Sequence, residues 1–165
     1  MEYHKLLEEL TEEGIEYLAI GGVAIVLTGY IRDTIDLDLF VNLEDSNLKK
    51  VIDFFTKKGY VPMVPVAMQD ILNPENRRRW YEEKGMKAFM MHKPDDPFSK
   101  VGLLIYSGGV EFEAAYQRRQ TVRTDKIKIF IAPIDDLIEL KKSTGRDKDL
   151  VDLKILRKLK EQKDE

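Results

Sequence analysis

Residues 20–42, IGGVAIVLTGYIRDTIDLDLFVN, constrain the fold more than any other stretch of the chain. Tyr17, Leu18, Ala19 and Ile20 form an apolar run of strand length. Gly21 and Gly22 interrupt it. Val23, Val26 and Leu27 then recur at helical spacing, and Gly29 is placed to end that short helix. Leu37, Leu39 and Val41 next alternate with Asp36, Asp38, Phe40 and Asn42, which is the period of a strand. The order is strand, glycine turn, helix, strand.

The alternation puts Asp36 and Asp38 on one face, with apolar residues on the other. Two close carboxylates repel, and a hard divalent cation relieves the repulsion. Magnesium or manganese suits such a pair, because these ions take carboxylate oxygens together with substrate phosphates. A half-buried strand with a wet polar face gives the same pattern. The glycine pair has two readings as well. It can offer backbone N–H groups to an anion without side-chain obstruction, or it can be an ordinary tight turn.

Glycine pair and aspartates together are more specific. The stretch matches the pattern GG-x-A-x3-hG-x2-R-x-T-x-DhDh at Gly21, Gly22, Ala24, Gly29, Arg32, Thr34, Asp36 and Asp38. It resembles the nucleotidyltransferase superfamily of the DNA polymerase beta-like fold, and within it the minimal nucleotidyltransferases and related toxin-type enzymes. A second stretch, LIELKKSTGRDKDLVDLKIL, is similar to a C-terminal motif of the same branch at Lys141, Gly145, Arg146, Lys148, Asp149 and Asp152.

The resemblance implies an α/β (α+β) fold with a mixed sheet flanked by helices and a helical C-terminus. It implies transfer of a nucleoside monophosphate from a magnesium-bound NTP to a hydroxyl or phosphate acceptor, which in such enzymes is RNA, a protein or a small molecule. Asp36 and Asp38 would hold the metal, and Gly21 and Gly22 would cradle phosphate. Arg32, Thr34, Lys141, Arg146 and Lys148 would contact the nucleotide. Asp149 and Asp152 would orient the basic groups through charge-assisted hydrogen bonds. The branch also implies a tRNA or protein acceptor and an antitoxin-like partner as possibilities.

One position departs from the family. Related enzymes carry a third carboxylate on a later strand, as general base and metal ligand. The corresponding strand is Lys100-Val101-Gly102-Leu103-Leu104-Ile105, and Gly102 stands where the aspartate is expected. Glu111 and Glu113 lie downstream as candidate substitutes. Gly102 is either a lost base, in which case Gly102→Asp should raise transfer, or a packing glycine that lets a neighbouring segment approach. A lost base also supports a different function: a catalytically reduced nucleotide-binding or partner-binding protein on the same fold.

The remaining sequence sets bounds. A chain of 165 residues is read as one domain, 1–165. Its hydrophobic content of 43% and charged content of 35% fit a soluble globular protein. A net charge of −3 argues against a generally basic nucleic-acid binder. With no cysteine there is neither a disulfide nor a thiolate metal site. Abundant Lys and Glu with no Cys suits a thermophile. Charge from Glu2 onward and the lack of a long apolar run lead to the expectation of a cytoplasmic protein without a membrane span.

Further elements are expected along the chain. Tyr3, Leu6, Leu7 and Leu10 mark a first helix, and Leu48, Val51, Ile52 and Phe55 a later one capped by Asp45 or Ser46. Asn73-Pro74 reads as an N-cap followed by proline at the first helical position. The helix it opens carries Arg77, Arg78, Arg79 and Trp80, either a basic patch with a stacking aromatic or a solvated face with Trp80 packed inward. A strand is expected over 86–91, a loop over 93–99 and a strand over 101–106. A hairpin is expected over 121–131, then a helix with Asp135 as N-cap and a last helix from Asp147. His4 and His92 lie far apart and make no zinc site by spacing.

Overall fold

The computed structural model describes residues 2–143 and 147–165, with Lys148 described by its backbone alone. Residues 144–146 lie outside it.

One sheet of seven strands organises the chain, in the spatial order β3-β4-β5-β2-β1-β7-β6. The central strands are β1 (Tyr17–Ile20), β2 (Asp36–Val41) and β5 (Asp96–Leu104). Outside them lie β3 (Val61–Pro62) and β4 (Ala88–Lys93) on one flank, and β6 (Gln120–Arg123) and β7 (Lys128–Ile131) on the other. The sheet is mixed: β2 runs antiparallel to β1 and parallel to β5, while β1 runs parallel to β7.

Every residue of β1 is buried. Such continuous burial requires both faces of the sheet to be covered. On one face, Tyr17, Ala19, Leu37, Leu39, Val101 and Leu103 pack under α1 (Tyr3–Glu12) and α3 (Asp45–Lys57). On the other, Leu18, Ile20, Phe40 and Ile131 pack under α6 (Ile134–Lys142) and α7 (Asp147–Asp164). The strand period of two sorts them. Leu37 and Leu39 are fully buried on the first face, so Asp36 and Asp38 point to the second.

α2 (Gly21–Leu27) follows β1 directly and ends at Gly29, whose φ of +103° disfavours any residue with a Cβ. α4 (Pro74–Lys84) begins as its sequence predicts: the Asn73 side chain accepts a hydrogen bond from the Glu75 N–H, with Pro74 at the first helical position. α5 (Phe112–Gln117) is a short helix before the β6–β7 hairpin. Among the described residues no helix is long and apolar enough to cross a membrane.

Three local expectations are corrected. The loop expected over 93–99 is largely strand, because Lys93 pairs with Asp96 across a tight turn and β5 starts there. Pro94 and Asp95 form that turn, and a two-residue connection is enough for antiparallel neighbours. The N-cap of α6 is Pro133 rather than Asp135. Asp135 and Asp136 instead occupy the first turn, where negative charge complements the helix dipole. The cap of α3 is Glu44, with Asp45 as the first helical residue.

Candidate functional site

Asp38 sits mid-way along β2, opposite Ile20 of β1 on one side and Gly102 of β5 on the other. Its carboxylate fills the space between two glycines. A Cβ on Gly21 would stand 2.7 Å from Asp38 Oδ2, and a Cβ on Gly102 would stand 2.8 Å from Asp38 Oδ1. The second would also be 2.8 Å from the sulfur of Met90, the β4 neighbour of Gly102. Both distances are shorter than real Cβ contacts allow. Gly21 carries the further constraint of a φ of +65°.

Gly22 has its own partner. A Cβ there would lie 2.7 Å from Thr34 Oγ1 and 2.9 Å from Arg32 Nη1. The glycine pair is therefore a surface against which three motif side chains pack, one of them acidic, one basic and one a hydroxyl. Thr34 Oγ1 donates to the Asp36 carbonyl at 3.3 Å, which ties the loop to the start of β2.

The two C-terminal helices deliver the second motif to the same place. Arg32 Nη1 donates to Asp152 Oδ2 at 2.9 Å. Lys141 Nζ lies 2.8 Å from the same oxygen and 3.0 Å from Asp149 Oδ1. Asp149 and Asp152 are each 1% exposed. Carboxylates buried this deeply persist as ions only when paired. Asp152 thus links the loop before β2 to α6 by serving both cations at once.

A cavity of about 350 Å³ opens beside Asp38, between the sheet and helices α6 and α7. Its wall is mainly aliphatic, with Ile20, Leu104, Leu137, Leu140 and Leu156. Asp38, Lys87 and Lys141 supply the charged groups. Lys87 is a site residue that the sequence does not single out, though it is a lone charge in the apolar run MKAFMM. Its amine donates to the Ser143 carbonyl at the C-terminal end of α6. It therefore straps the sheet to the helix that carries Lys141.

Other expected site residues fall elsewhere. Glu111 lines a separate depression with Arg118, Asp136 and Glu139. There, burial pushes the Asp136 carboxyl above its usual range, and Arg118 pulls it part of the way back. Glu113 is exposed on α5. Neither glutamate lines the Asp38 cavity. Arg146 and the Lys148 side chain lie outside the described residues. The α4 arginines find partners of their own. Arg77 donates to the carbonyls of Ile71 and Leu72, Arg78 pairs with Glu75 and Glu82, and Arg79 donates to Asn76. Trp80 is buried and stacks on Phe89.

The backbone path resembles two solved structures. One is LnuA, a lincosamide antibiotic adenylyltransferase in its lincomycin-bound crystal structure, with a TM-score of 0.59 at 16% identity over 94% of each chain. The other is an antigenic nucleotidyltransferase-like protein from Paracoccidioides brasiliensis, with a TM-score of 0.51 at 17% identity over 93% of this chain and 72% of that one. The chain has the nucleotidyltransferase fold. No family model matches the sequence, and no curated protein matches it.

Within the nucleotidyltransferase fold, the donor set here is narrow. Among the described residues no group of three or more His, Cys, Asp or Glu gathers. Asp36 and Asp38 offer hard oxygen ligands on one face of β2. Such a pair cannot form a full cage. It fits magnesium or manganese, which complete their shells with water and phosphate oxygens.

Proposed function

We propose that this chain is a nucleotidyltransferase that moves a nucleoside monophosphate from an NTP to an acceptor hydroxyl. The single observation behind this reading is the convergence on Asp38 of three separated segments: the glycine pair, the β2 aspartates and the α6–α7 network. In this reading Asp36 and Asp38 hold magnesium, which supplies charge neutralisation at the transferring phosphate when bound. Gly21 and Gly22 carry no side chain, which lets Asp38, Thr34 and Arg32 close over the turn, and in this reading the turn offers its backbone N–H groups to the phosphates. Arg32 and Lys141 balance phosphate charge, and Asp152 fixes both in place. Thr34 holds the loop that carries Arg32. Arg146 and Lys148 belong to the same motif and are proposed as further phosphate contacts. One neighbour of the same fold is a lincosamide adenylyltransferase, and a small molecule is accordingly one acceptor to be tested beside RNA and protein.

A second reading has a specific observation of its own. Gly102 stands opposite Asp38 where related enzymes carry a base, and Glu111 and Glu113 line no part of the Asp38 cavity. In that reading the protein binds magnesium-NTP and transfers slowly or not at all. Incubation of the purified protein with each labelled NTP, magnesium and either total tRNA or a panel of small hydroxyl compounds separates the two. Labelled product supports the enzyme, and NTP binding without product supports the reduced protein. Absence of magnesium-dependent NTP binding by calorimetry would sink both.

A further inference from the structure

The two ends of the Asp38 site differ in chemistry. Thr34 and Arg32 lie before Asp36, at the N-terminal end of β2, and reach Gly22 there. Leu104 lies beyond Gly102 on β5, which runs parallel to β2, and pairs with Ala88 of β4. Asp38 therefore separates an ion-paired corner, where Arg32 meets Asp152, from an aliphatic cavity. Lys141 stands at the boundary, lining the cavity while sharing Asp152 with Arg32.

Displacement at phosphorus puts the attacking and leaving oxygens on opposite sides of the reacting atom. If the β- and γ-phosphates occupy the Gly22–Arg32 corner, pyrophosphate leaves toward that corner. The attacking oxygen must then approach from the cavity side. A cavity of about 350 Å³ is at the small end of ligand pockets. Apart from Asp38, Lys87, Lys141 and three glycines its wall is leucine, isoleucine and alanine, and among the described residues it has no aromatic ring on which a nucleobase could stack.

We propose that this cavity is the acceptor subsite, and that the acceptor is a small, largely apolar molecule bearing a hydroxyl, either uncharged or anionic toward Lys87. This rests on the nucleotidyltransferase reading. The acceptor oxygen forms a bond to the α-phosphorus and the bond to the bridging oxygen of pyrophosphate breaks. The acceptor's hydroxyl proton leaves to water. The site needs no other reactant. Absence of a side chain at Gly102 makes room for the Asp38 carboxylate itself, which borders the cavity there.

The test uses 2-naphthol, a neutral aryl alcohol whose binding is read by fluorescence. It is titrated with and without saturating magnesium α,β-methylene-ATP, whose own binding is measured separately by calorimetry. The expected result is that 2-naphthol binds the wild type equally well in both conditions. Ala88→Phe and Leu104→Phe, which fill the cavity from the sheet side, should each weaken it by about tenfold or more. Melting curves report whether each variant is folded, and either one suffices. Displacement of 2-naphthol by the nucleotide analogue would give the cavity to the nucleoside and overturn the proposal. Displacement by total tRNA would overturn it in favour of a nucleic-acid acceptor. Undiminished binding in the folded variants, or no binding to the wild type, would also overturn it. Failure of the analogue to bind, seen in calorimetry alone, identifies the nucleotidyltransferase reading as the part that failed.

Discussion

Asp38 and Gly102 face each other across the parallel β2–β5 pair, so close that a Cβ on the glycine would lie 2.8 Å from Asp38 Oδ1. Gly21 closes the other side of the same carboxylate. The distance gives Gly102 a packing reason to be glycine, independent of any lost base. An aspartate there must first displace Asp38 or Met90.

The expected consequence is that Gly102→Asp does not raise transfer, contrary to the lost-base reading of the sequence. Gly102→Ala should lower magnesium-dependent NTP affinity while the protein stays folded, because it pushes Asp38 out of its slot. Calorimetry with and without magnesium measures this, beside Asp36→Asn and Asp38→Asn, in which the dependence should vanish. A gain of transfer in Gly102→Asp would restore the lost-base account.

Asp152 holds Arg32 and Lys141 together from a position that is 1% exposed. Asp152→Asn should therefore weaken NTP binding without touching the ligand, and should also lower stability. Removing one member of a buried charged cluster costs about 3–5 kcal/mol. Denaturant unfolding reads the loss. A double-mutant cycle between Arg32→Ala and Asp152→Ala should show coupling, since the two groups share one hydrogen bond.

Lys141→Ala should weaken ATP more than AMP, because the outer phosphates carry the charge it balances. A lost charge-assisted contact of this kind costs about 1.5–3 kcal/mol. Competition of each nucleotide against a fluorescent analogue measures the difference. Equal losses would make Lys141 a strut between α6 and α7, where it already pairs with Asp149 and Asp152.

The arginine run of α4 and the tryptophan beside it should behave oppositely. Trp80 is buried against Phe89, so Trp80→Ala should cost about 3–5 kcal/mol. Arg78 is exposed and, among the described residues, pairs with Glu75 and Glu82 of its own helix. Arg78→Ala should leave both stability and nucleic-acid affinity unchanged, as thermal unfolding and filter binding would show.

Tyr17 adds a pH dependence away from the site. Its hydroxyl donates to the Leu7 carbonyl at 3.0 Å, and burial raises its pKa, with the Thr11 hydrogen bond opposing. The folded state therefore favours the neutral phenol. Stability from this group is complete below the unfolded pKa of about 10. It is lost as pH rises from there toward the raised folded value. Tyr17→Phe should be less stable at pH 7 by about 1 kcal/mol, the worth of a hydrogen bond, yet should lose less stability above pH 10. Urea titrations across that range check the crossing.

The local code was legible. Alternation put Asp36 and Asp38 on one face of β2, glycine spacing ended α2 at Gly29, and Asn73-Pro74 opened α4. Each follows from geometry within a few residues, where period and capping act. The resemblance also paired the two motifs and marked Gly102 as the position where a third carboxylate is expected. The sequence could not say that Gly21 and Gly102 grip one carboxylate, that Asp152 serves two cations, or that Lys87 reaches Ser143. Those contacts join residues far apart in the chain. They depend on strand order and on how α6 and α7 cross the sheet. Periodicity fixes which face a side chain takes, but only the packed sheet decides what stands opposite it.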